Sequence, residues 1–397
     1  MKQSMKTLVD IVVVSTACST AVNRSIYKEF KKLGLTVLLV VPKELTLSSG
    51  LIKKADIQEI DDPDIEFMTI TDGNSRISRF IGITKFLNLH RPKLIILDAE
   101  PISITALQIG LWAKIFKSKL FCISCENMSL SILDSYRRKG INGVFITIFK
   151  RMMLIVSKKL VHGVFTINNE GTQIFNNESF RNVRKIPLGF DPKYFHINLI
   201  SRKAVRSKLG LDCFVIGFFG RIAYEKGIHI LVDALHLLKN YKWTLMIDEF
   251  NIYKNQFQEN IHNQIIQSGL IDKVVFVNPR HDEMGSFINS VDVVVMPSIS
   301  TSFWIEQYGR VAVEAMACGK LVVASNSGAL PMLLNSRGIL FEEGDIKHLA
   351  AILKGLIVNA QSHKYSAKEI SNYAHAELSI NKQMKEMLSL FKETDSL

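Results

Sequence analysis

Two cationic side chains follow an apolar run near the middle of the chain. The run ends at Phe219 and is followed by Gly220 and Arg221, with Lys226 five residues further on, just before a helical pattern. Ligands of open parallel sheets bind at the carboxyl ends of strands. Arginine can fork two phosphate oxygens and lysine adds a point charge, so this pair is suited to neutralising a diphosphate without a metal. Taken alone, the residues also fit an ordinary solvated loop.

Two glutamates flank the predicted start of a later helix. Glu306 precedes the segment Gln307 to Gly309, and Glu314 lies eight residues further, inside the helix. The amino end of a helix offers unpaired amides to an anion. A buried carboxylate is costly unless it accepts hydrogen bonds, and the paired hydroxyls of a ribose are suitable donors. A surface glutamate beside a glutamate at a helix terminus is the alternative for an isolated pair.

The elements that position these residues follow one pattern along the chain. Short runs rich in Val and Ile alternate with helical stretches, which is typical of parallel sheets covered by helices on both faces. The Pro- and Gly-containing segment IPLGFDPKYF interrupts the pattern and predicts a linker. We therefore expect an α/β fold of two Rossmann-like, doubly wound domains facing across a cleft, at 1–190 and 191–367, and a helical segment at 368–397 that packs back on the first.

Length and charge restrict the class of protein further. A chain of 397 residues exceeds what one core usually serves, which favours two domains. The net charge of +12 fits anionic lipid or phosphorylated small molecules. No motif for nucleic-acid recognition accompanies that charge, so nucleic acid is not an expected partner.

Basic and apolar residues are interleaved between Tyr136 and Lys159. Phe145, Ile148, Met152 and Ile155 recur at helical spacing in this stretch. Two interpretations stay open: an amphipathic helix lying on an anionic membrane surface, or a helix packed on the domain core with a solvated basic edge.

Targeting signals and disulfides are not expected. The first apolar run is interrupted by Asp10 and lacks a small-residue cleavage site, and we find no stretch of uncharged apolar residues long enough to span a bilayer. The count of five cysteines is odd, which favours reduced thiols. We expect a cytoplasmic protein, peripheral on the inner face of the membrane if the basic stretch binds lipid.

Several segments together resemble one enzyme family. FGRIAYEKG and EQYGRVAVEAMACGKLVVASNSGALP are similar to the retaining family-four glycosyltransferases of the GT-B fold, whose signature is two glutamates separated by seven residues. VFTINNEGTQIF, IPLGFDPKYF and GILFEEGD continue the likeness in the same order. The resemblance covers the chain from about Leu94 to Leu349.

The resemblance implies a role for each candidate residue. Arg221 and Lys226, with Gly220 in the same loop, would hold the diphosphate of a nucleotide-sugar donor. Glu314 would bind the ribose, and Glu306 would contact the transferred sugar. Amides of Gln307, Tyr308 and Gly309 would cap its hydroxyls or the distal phosphate. The expected catalytic residues are Glu306, Arg221 and Lys226, with no metal and no other cofactor.

The acceptor is expected in the first domain. Asp98-Ala99-Glu100-Pro101 and Glu126-Asn127 follow neighbouring strands and resemble a pattern in bacterial members of the family, so Glu100 and Asn127 are the candidates for acceptor contact. Ordinary loop residues are the alternative. The implied setting is synthesis of a bacterial surface polysaccharide such as O-antigen (lipopolysaccharide), capsule or exopolysaccharide, on a lipid-linked saccharide.

Two segments depart from the family pattern. The loop STACSTAVN after the first strand lacks paired glycines, and LMIDEF has Asp248 and Glu249 where relatives carry a glycine-rich turn. The alternative functions are a sugar-nucleotide epimerase or phosphorylase of the same fold, and a non-catalytic sugar-nucleotide-binding subunit. A dehydrogenase is disfavoured because no G-x-G-x-x-G follows either first strand.

Overall fold

The computed structural model describes residues 9–46, 52–71, 77–249, 255–359 and 366–397. Within these ranges the chain divides into two compact units. Unit 1 comprises Met1–Gly189 together with Ile380–Leu397, and unit 2 comprises Phe190–Ser379.

Unit 1 is built on a seven-stranded parallel sheet with the order β5-β2-β1-β6-β7-β8-β9. Its strands, including a separate antiparallel pair β3-β4, are β1 (Ile11–Ser15), β2 (Val37–Pro42), β3 (Glu44–Thr46), β4 (Ile52–Lys54), β5 (Asp64–Met68), β6 (Leu94–Asp98), β7 (Lys119–Ser124), β8 (Gly163–Thr166) and β9 (Val183–Lys185). The strand order reverses between β1 and β6, and such a switch point is where open α/β sheets bind ligands.

Five helices of unit 1 lie between these strands, and a sixth comes from the carboxyl end of the chain. They are α1 (Ser25–Lys32), α2 (Ile83–His90), α3 (Ile104–Phe116), α4 (Ile132–Ser157), α5 (Asn169–Asn177) and α14 (Ile380–Glu393). Phe391 of α14 is fully buried, with its ring centroid 5.1 Å from that of Phe121 and 5.6 Å from that of Phe165. The last helix is therefore part of the core of unit 1.

Unit 2 contains a six-stranded parallel sheet with the order β12-β11-β10-β13-β14-β15. Its strands are β10 (Phe214–Phe218), β11 (Trp243–Asp248), β12 (Val274–Val277), β13 (Val293–Met296), β14 (Leu321–Ser325) and β15 (Ile339–Phe341). Its helices are α6 (Leu199–Leu209), α7 (Ile228–His236), α8 (Gln256–Gln267), α9 (His281–Ser290), α10 (Arg310–Ala317), α11 (Leu330–Leu334), α12 (Ile346–Val358) and α13 (Ala367–Glu377). Here the strand order reverses between β10 and β13.

The helical segment expected at 368–397 consists of two helices that belong to different units. Helix α13 lies in unit 2, where the Ser371 hydroxyl donates to the Ala317 carbonyl at 2.7 Å. Helix α14 lies in unit 1. Helix α13 is capped by Leu378 and α14 begins at Ile380, so the chain passes from unit 2 to unit 1 at Ser379.

Helix α4 differs from what the sequence led us to expect. By length and composition it is apolar enough to cross a membrane, whereas no such stretch was predicted. The α4 backbone leaves helical geometry at Gly140, which has φ 59° and ψ −149°. The Thr147 hydroxyl donates to that of Ser135 at 2.6 Å, although these residues would be about 18 Å apart in a straight helix. The two halves of α4 therefore fold back on each other.

Replacing Phe391 with Ala should destabilise unit 1, because it opens a cavity between α14 and the sheet. We expect a loss of about 3–5 kcal/mol in the free energy of unfolding, measured by denaturant titration. Lys385→Ala, at an exposed position of the same helix, is the control and should change stability by less than about 0.5 kcal/mol. Equal stability of the two variants would contradict the assignment of α14 to this core.

Candidate active site

The switch point of unit 2 brings together two loops that are about 80 residues apart in sequence. One loop follows β10 and carries Gly220, Arg221 and Lys226, and the other follows β13 and carries Glu306. The Lys226 ammonium lies 2.8 Å from Oε2 of Glu306. This ion pair joins two of the predicted catalytic residues directly.

Backbone contacts at two glycines fix the ion pair in place. Gly227 has φ +70°, and a Cβ there would lie 1.8 Å from the Pro297 carbonyl oxygen at the end of β13. Gly328 has φ +53°, and a Cβ there would lie 2.2 Å from the Glu306 carbonyl oxygen, which accepts the Ala329 N–H at 3.0 Å. Since only glycine allows both the positive φ and these approaches, backbone packing holds the loop of Lys226 against the end of β13, and the loop after β14 against Glu306.

Two further side chains complete the surroundings of Lys226 and Glu306. The Ser298 hydroxyl donates to Oε2 of Glu306 at 2.9 Å, and the Lys226 ammonium lies 4.8 Å from the centroid of the Trp304 ring. Sequence reasoning missed both residues. Ser298 had a usable signal, since it comes two residues after β13 at the carboxyl edge of the sheet.

Arg221 is placed differently from Lys226. Its side chain is about half exposed, and its guanidinium lies 3.5 Å from the Glu225 carboxylate four residues further along the same loop. Gly220, with φ +106°, directs the chain from β10 into this loop. Arg221 therefore lies in the same loop as Lys226 but is open to solvent. Among the described residues it forms no ion pair with Glu306 or Glu314.

The segment from Gln307 to Gly309 ends directly at helix α10. Gly309 caps the helix with φ +95°, and the Tyr308 side chain is buried while Gln307 is exposed. Glu314 lies one turn inside α10 and is buried. Burial raises the pKa of Glu314 to about 7, although the positive charge of Arg310 acts to lower it. Burial thus favours the neutral form of the Glu314 carboxyl group.

Asp248 ends β11 beside the loop of Gly220. Burial raises the pKa of the Asp248 carboxyl group to about 6, and the backbone N–H of Gly220 offsets only part of that effect. The neighbouring Glu249 lies 2.9 Å from Nε2 of His262. Phe250, the last residue of the segment that departs from the family pattern, lies outside the described residues.

The candidate acceptor residues lie at the carboxyl ends of strands in unit 1. Glu100 accepts hydrogen bonds from the Ser124 hydroxyl at 2.5 Å and from the Cys125 N–H at 2.9 Å. Asn127 is nearly buried and lines a polar pocket of about 270 Å³. The other polar residues around this pocket include Ser129, Gln173, Asn177 and Glu178. Glu100 and Asn127 thus follow neighbouring strands, β6 and β7, of the sheet of unit 1.

The loop that lacks paired glycines is fixed by a buried ion pair. It forms two short 3-10 helices, Ala17–Ser19 and Ala21–Arg24. The Arg24 guanidinium lies 2.8 Å from the Asp62 carboxylate, and both side chains are fully buried. The same guanidinium donates to three backbone carbonyls, including that of Cys18 at 2.8 Å. Side-chain hydrogen bonds therefore order this loop.

Comparison with known proteins bears on unit 2 in particular. Residues 201–375 match the family model described as glycosyl transferases group 1. The match covers most of unit 2 and less than half of the chain. The matched region contains every residue of the site around Lys226 and Glu306.

Curated glycosyltransferases align with part of the chain. A D-inositol 3-phosphate glycosyltransferase of Paenarthrobacter aurescens is 32% identical over 48% of this chain and 47% of its own length. The capsular polysaccharide biosynthesis glycosyltransferase CapM of Staphylococcus aureus is 32% identical over 38% of each chain. The alignments thus span less than half the length of these relatives.

Solved structures match over nearly the whole chain. Anabaena Alr3699/HepE, in a crystal structure with UDP and glucose, is 20% identical, with a TM-score of 0.73 over 97% of this chain and 99% of that one. Sucrose-phosphate synthase from Thermosynechococcus elongatus gives a TM-score of 0.72 at 16% identity, over 98% and 99% of the two chains. The predicted GT-B fold class, with two parallel-sheet α/β domains, is confirmed.

Replacing Asp248 with Asn should stabilise unit 2 at pH 8. The folded-state pKa of about 6 lies above the ordinary value of 3.8, so the ionised Asp248 destabilises the fold at pH 8. We expect a gain of about 1–3 kcal/mol in the free energy of unfolding at pH 8. The gain should shrink as the pH falls through 6.

Denaturant titrations at pH 8 and pH 5 measure this gain. Glu249→Gln is the comparison variant: it removes a charge that makes a smaller contribution to the raised pKa of Asp248, and it also loses a contact with His262, so any gain should be smaller. A gain for Asp248→Asn that is independent of pH would rule out ionisation as its cause.

Proposed function

We propose that the chain is a retaining glycosyltransferase that moves a sugar from a nucleotide-diphosphate sugar to a lipid-linked saccharide. The observation that carries the proposal is the Lys226–Glu306 ion pair at the switch point of a sheet that matches group 1 glycosyltransferases. Parallel sheets bind ligands at this edge, and a cation and a carboxylate there are suited to a phosphate and to sugar hydroxyls.

The donor would be held by unit 2. Lys226 and Arg221 would neutralise the diphosphate, and the Lys226 ammonium would exchange part of its contact with Glu306 for a phosphate oxygen. Glu314 would accept hydrogen bonds from ribose hydroxyls, and Glu306 would contact the transferred sugar.

Gly220 and the amides from Gln307 to Gly309 would allow close approach of the backbone to the ligand. The cations take the place of a metal, so no metal is required.

The configuration at the anomeric carbon is retained if the acceptor hydroxyl attacks from the same face of the sugar as the one from which the diphosphate departs. The bond from the anomeric carbon to the β-phosphate oxygen breaks, and a bond from the acceptor oxygen to the same carbon forms on that face. The acceptor's hydroxyl proton passes to the departing diphosphate, so no protein base is needed. Lys226 and Arg221 stabilise the charge that grows on the leaving group, which is where electrostatic catalysis is most effective.

The acceptor would be held by unit 1, at Glu100 and Asn127. The polar pocket beside Asn127 is rich in amides, hydroxyls and carboxylates, the groups that bind saccharides through hydrogen bonds. The named role of CapM in capsular polysaccharide biosynthesis supports a surface polysaccharide as the product. Such assembly on a lipid-linked acceptor places the enzyme in the cytoplasm, at the inner face of the membrane.

A panel of nucleotide sugars tests the function directly. Base and sugar are varied in turn, and thermal shift and slow donor hydrolysis are measured with and without EDTA. We expect one donor to raise the melting temperature and to be hydrolysed equally in both conditions. If no donor is bound or hydrolysed, the proposal fails; if hydrolysis needs a divalent ion, metal independence fails.

Lys226→Ala should reduce turnover of that donor by about 10²–10³-fold, because it removes a charge that stabilises the leaving group. Lys239→Ala removes an equal charge from an exposed position of unit 2 and is the matched control. Steady-state kinetics and circular dichroism separate loss of catalysis from loss of fold. Near-normal turnover in Lys226→Ala would remove its catalytic role.

Affinity for the nucleoside diphosphate should rise as the pH increases from 6 to 8. The pKa of Glu314 is raised to about 7 by burial, and hydrogen bonds from ribose hydroxyls would favour its ionised form. Binding should therefore release a proton near pH 7, measured by calorimetry in buffers of different ionisation enthalpy. Glu314→Gln should bind more weakly, with this pH dependence lost; an unchanged pH dependence would show that another group titrates.

A further inference from the structure

Helix α4 presents large apolar side chains to solvent and small or polar ones to the protein. Phe145, Phe149 and Met152 are 61–65% exposed, and Ile148 and Ile155 are 43% and 50% exposed. The positions recur every three or four residues, so they form one continuous face, here called the apolar face. The inward side carries Gly143, Thr147, Leu154 and Ser157.

This arrangement argues against one of the two interpretations that the sequence left open, the helix packed on the domain core. A helix packed on the domain core would bury Phe145, Ile148, Met152 and Ile155, and all four are exposed. Gly143 packs against the first half of α4, since a Cβ there would lie 2.2 Å from the Ser135 carbonyl oxygen. The inward side is therefore already occupied by close packing, and α4 cannot turn its apolar face inward without breaking it.

A basic pocket lies at the carboxyl end of the same helix. It has a volume of about 810 Å³ and is lined by Lys114 of α3, by Lys158 and Lys159 directly after α4, and by Arg181. The carboxylate at its edge, Glu393, is paired with Arg184 at 2.7 Å. No salt bridge engages Lys114, Lys159 or Arg181 within the described residues. The pocket therefore keeps a net positive charge.

The carboxylates nearest to α4 are neutralised by its own cations. Lys150 lies 2.8 Å from the Glu126 carboxylate, and Arg151 lies 3.3 Å from that of Glu178. These ion pairs beside the apolar face are thus neutral, and the cations without a salt bridge among the described residues lie in the basic pocket at its end. This charge pattern disfavours a second copy of the chain as the partner, because neither the neutral ion pairs nor the basic pocket offers an acidic surface to the basic pocket of another copy.

We propose that the apolar face and the basic pocket together dock unit 1 on an anionic bilayer surface. The apolar side chains would enter the region between headgroups and acyl chains, and the pocket would take lipid phosphates. The break at Gly140 and the paired charges of Lys150 and Arg151 place α4 on the surface of the bilayer instead of across it. Docking deepens the proposed function, since it would bring unit 1 to a lipid-linked acceptor, but it requires neither donor nor turnover.

Vesicle binding by the full chain tests this proposal. Co-flotation is measured with vesicles of phosphatidylcholine alone and of phosphatidylcholine with about one third phosphatidylglycerol, at low and high salt. We expect binding to the anionic vesicles that weakens with salt. No binding at low salt, or equal binding to both vesicles, would overturn the proposal.

Two double variants separate the apolar and the charged parts of the surface. Phe145→Gln with Phe149→Gln, and Lys114→Glu with Lys159→Glu, should each weaken the partition coefficient by about tenfold or more. The matched controls are Ile57→Gln with Ile60→Gln, which are exposed apolar positions elsewhere in unit 1, and Lys203→Glu with Lys208→Glu in unit 2. If the control variants lose as much vesicle binding as the variants of the apolar face and the basic pocket, docking through this surface is contradicted.

The remaining outcomes are also decisive. If Phe145→Gln with Phe149→Gln converts a dimer to a monomer in light scattering while vesicle binding is unchanged, the face is a contact between copies and the proposal is wrong. Donor hydrolysis should be retained in every face variant, because these residues lie outside the donor site of unit 2. Loss of docking with retained hydrolysis therefore tests the surface independently of the enzymatic function.

Discussion

The close approach of two backbone segments in unit 2 is the constraint on which the candidate site depends. Gly227 contacts the carbonyl of Pro297, and Gly328 contacts that of Glu306. The first contact holds the loop after β10 against the end of β13, where the strand order reverses, and the second holds the loop after β14 against the loop that carries Glu306. Without them, Lys226 and Glu306 would be charged side chains of separate loops, and an exposed ion pair of that kind contributes little on its own.

The same site carries two carboxyl groups whose ionisation is shifted upward by burial, Glu314 and Asp248. Buried carboxylates destabilise a fold unless a partner supplies hydrogen bonds. For Glu314 the ribose of the proposed donor would be such a partner, which would connect the cost in stability to nucleotide binding. Asp248 has no role in the proposed mechanism. Replacing it therefore measures the effect of a buried carboxylate on the stability of unit 2, separately from any effect on catalysis.

Unit 1 shows that the same fold can display two different surfaces. The carboxyl edge of its sheet presents Glu100 and a polar pocket beside Asn127. Helix α4 presents the apolar face, followed at its end by the basic pocket. The proposed function assigns a saccharide to the first surface, and the proposed docking assigns a lipid headgroup region to the second.

The sequence by itself determined the alternating α/β pattern and the motifs that contain Lys226, Glu306 and Glu314, because parallel strands read as apolar runs and helices as periodic ones. Only the tertiary structure decided which loops meet. It added Ser298 and Trp304 to the site, and it showed that the buried Arg24–Asp62 pair orders the glycine-free loop after β1. Periodicity gives the spacing of apolar residues on α4, but which face is buried depends on what packs against it, and that is set by the fold at Gly140.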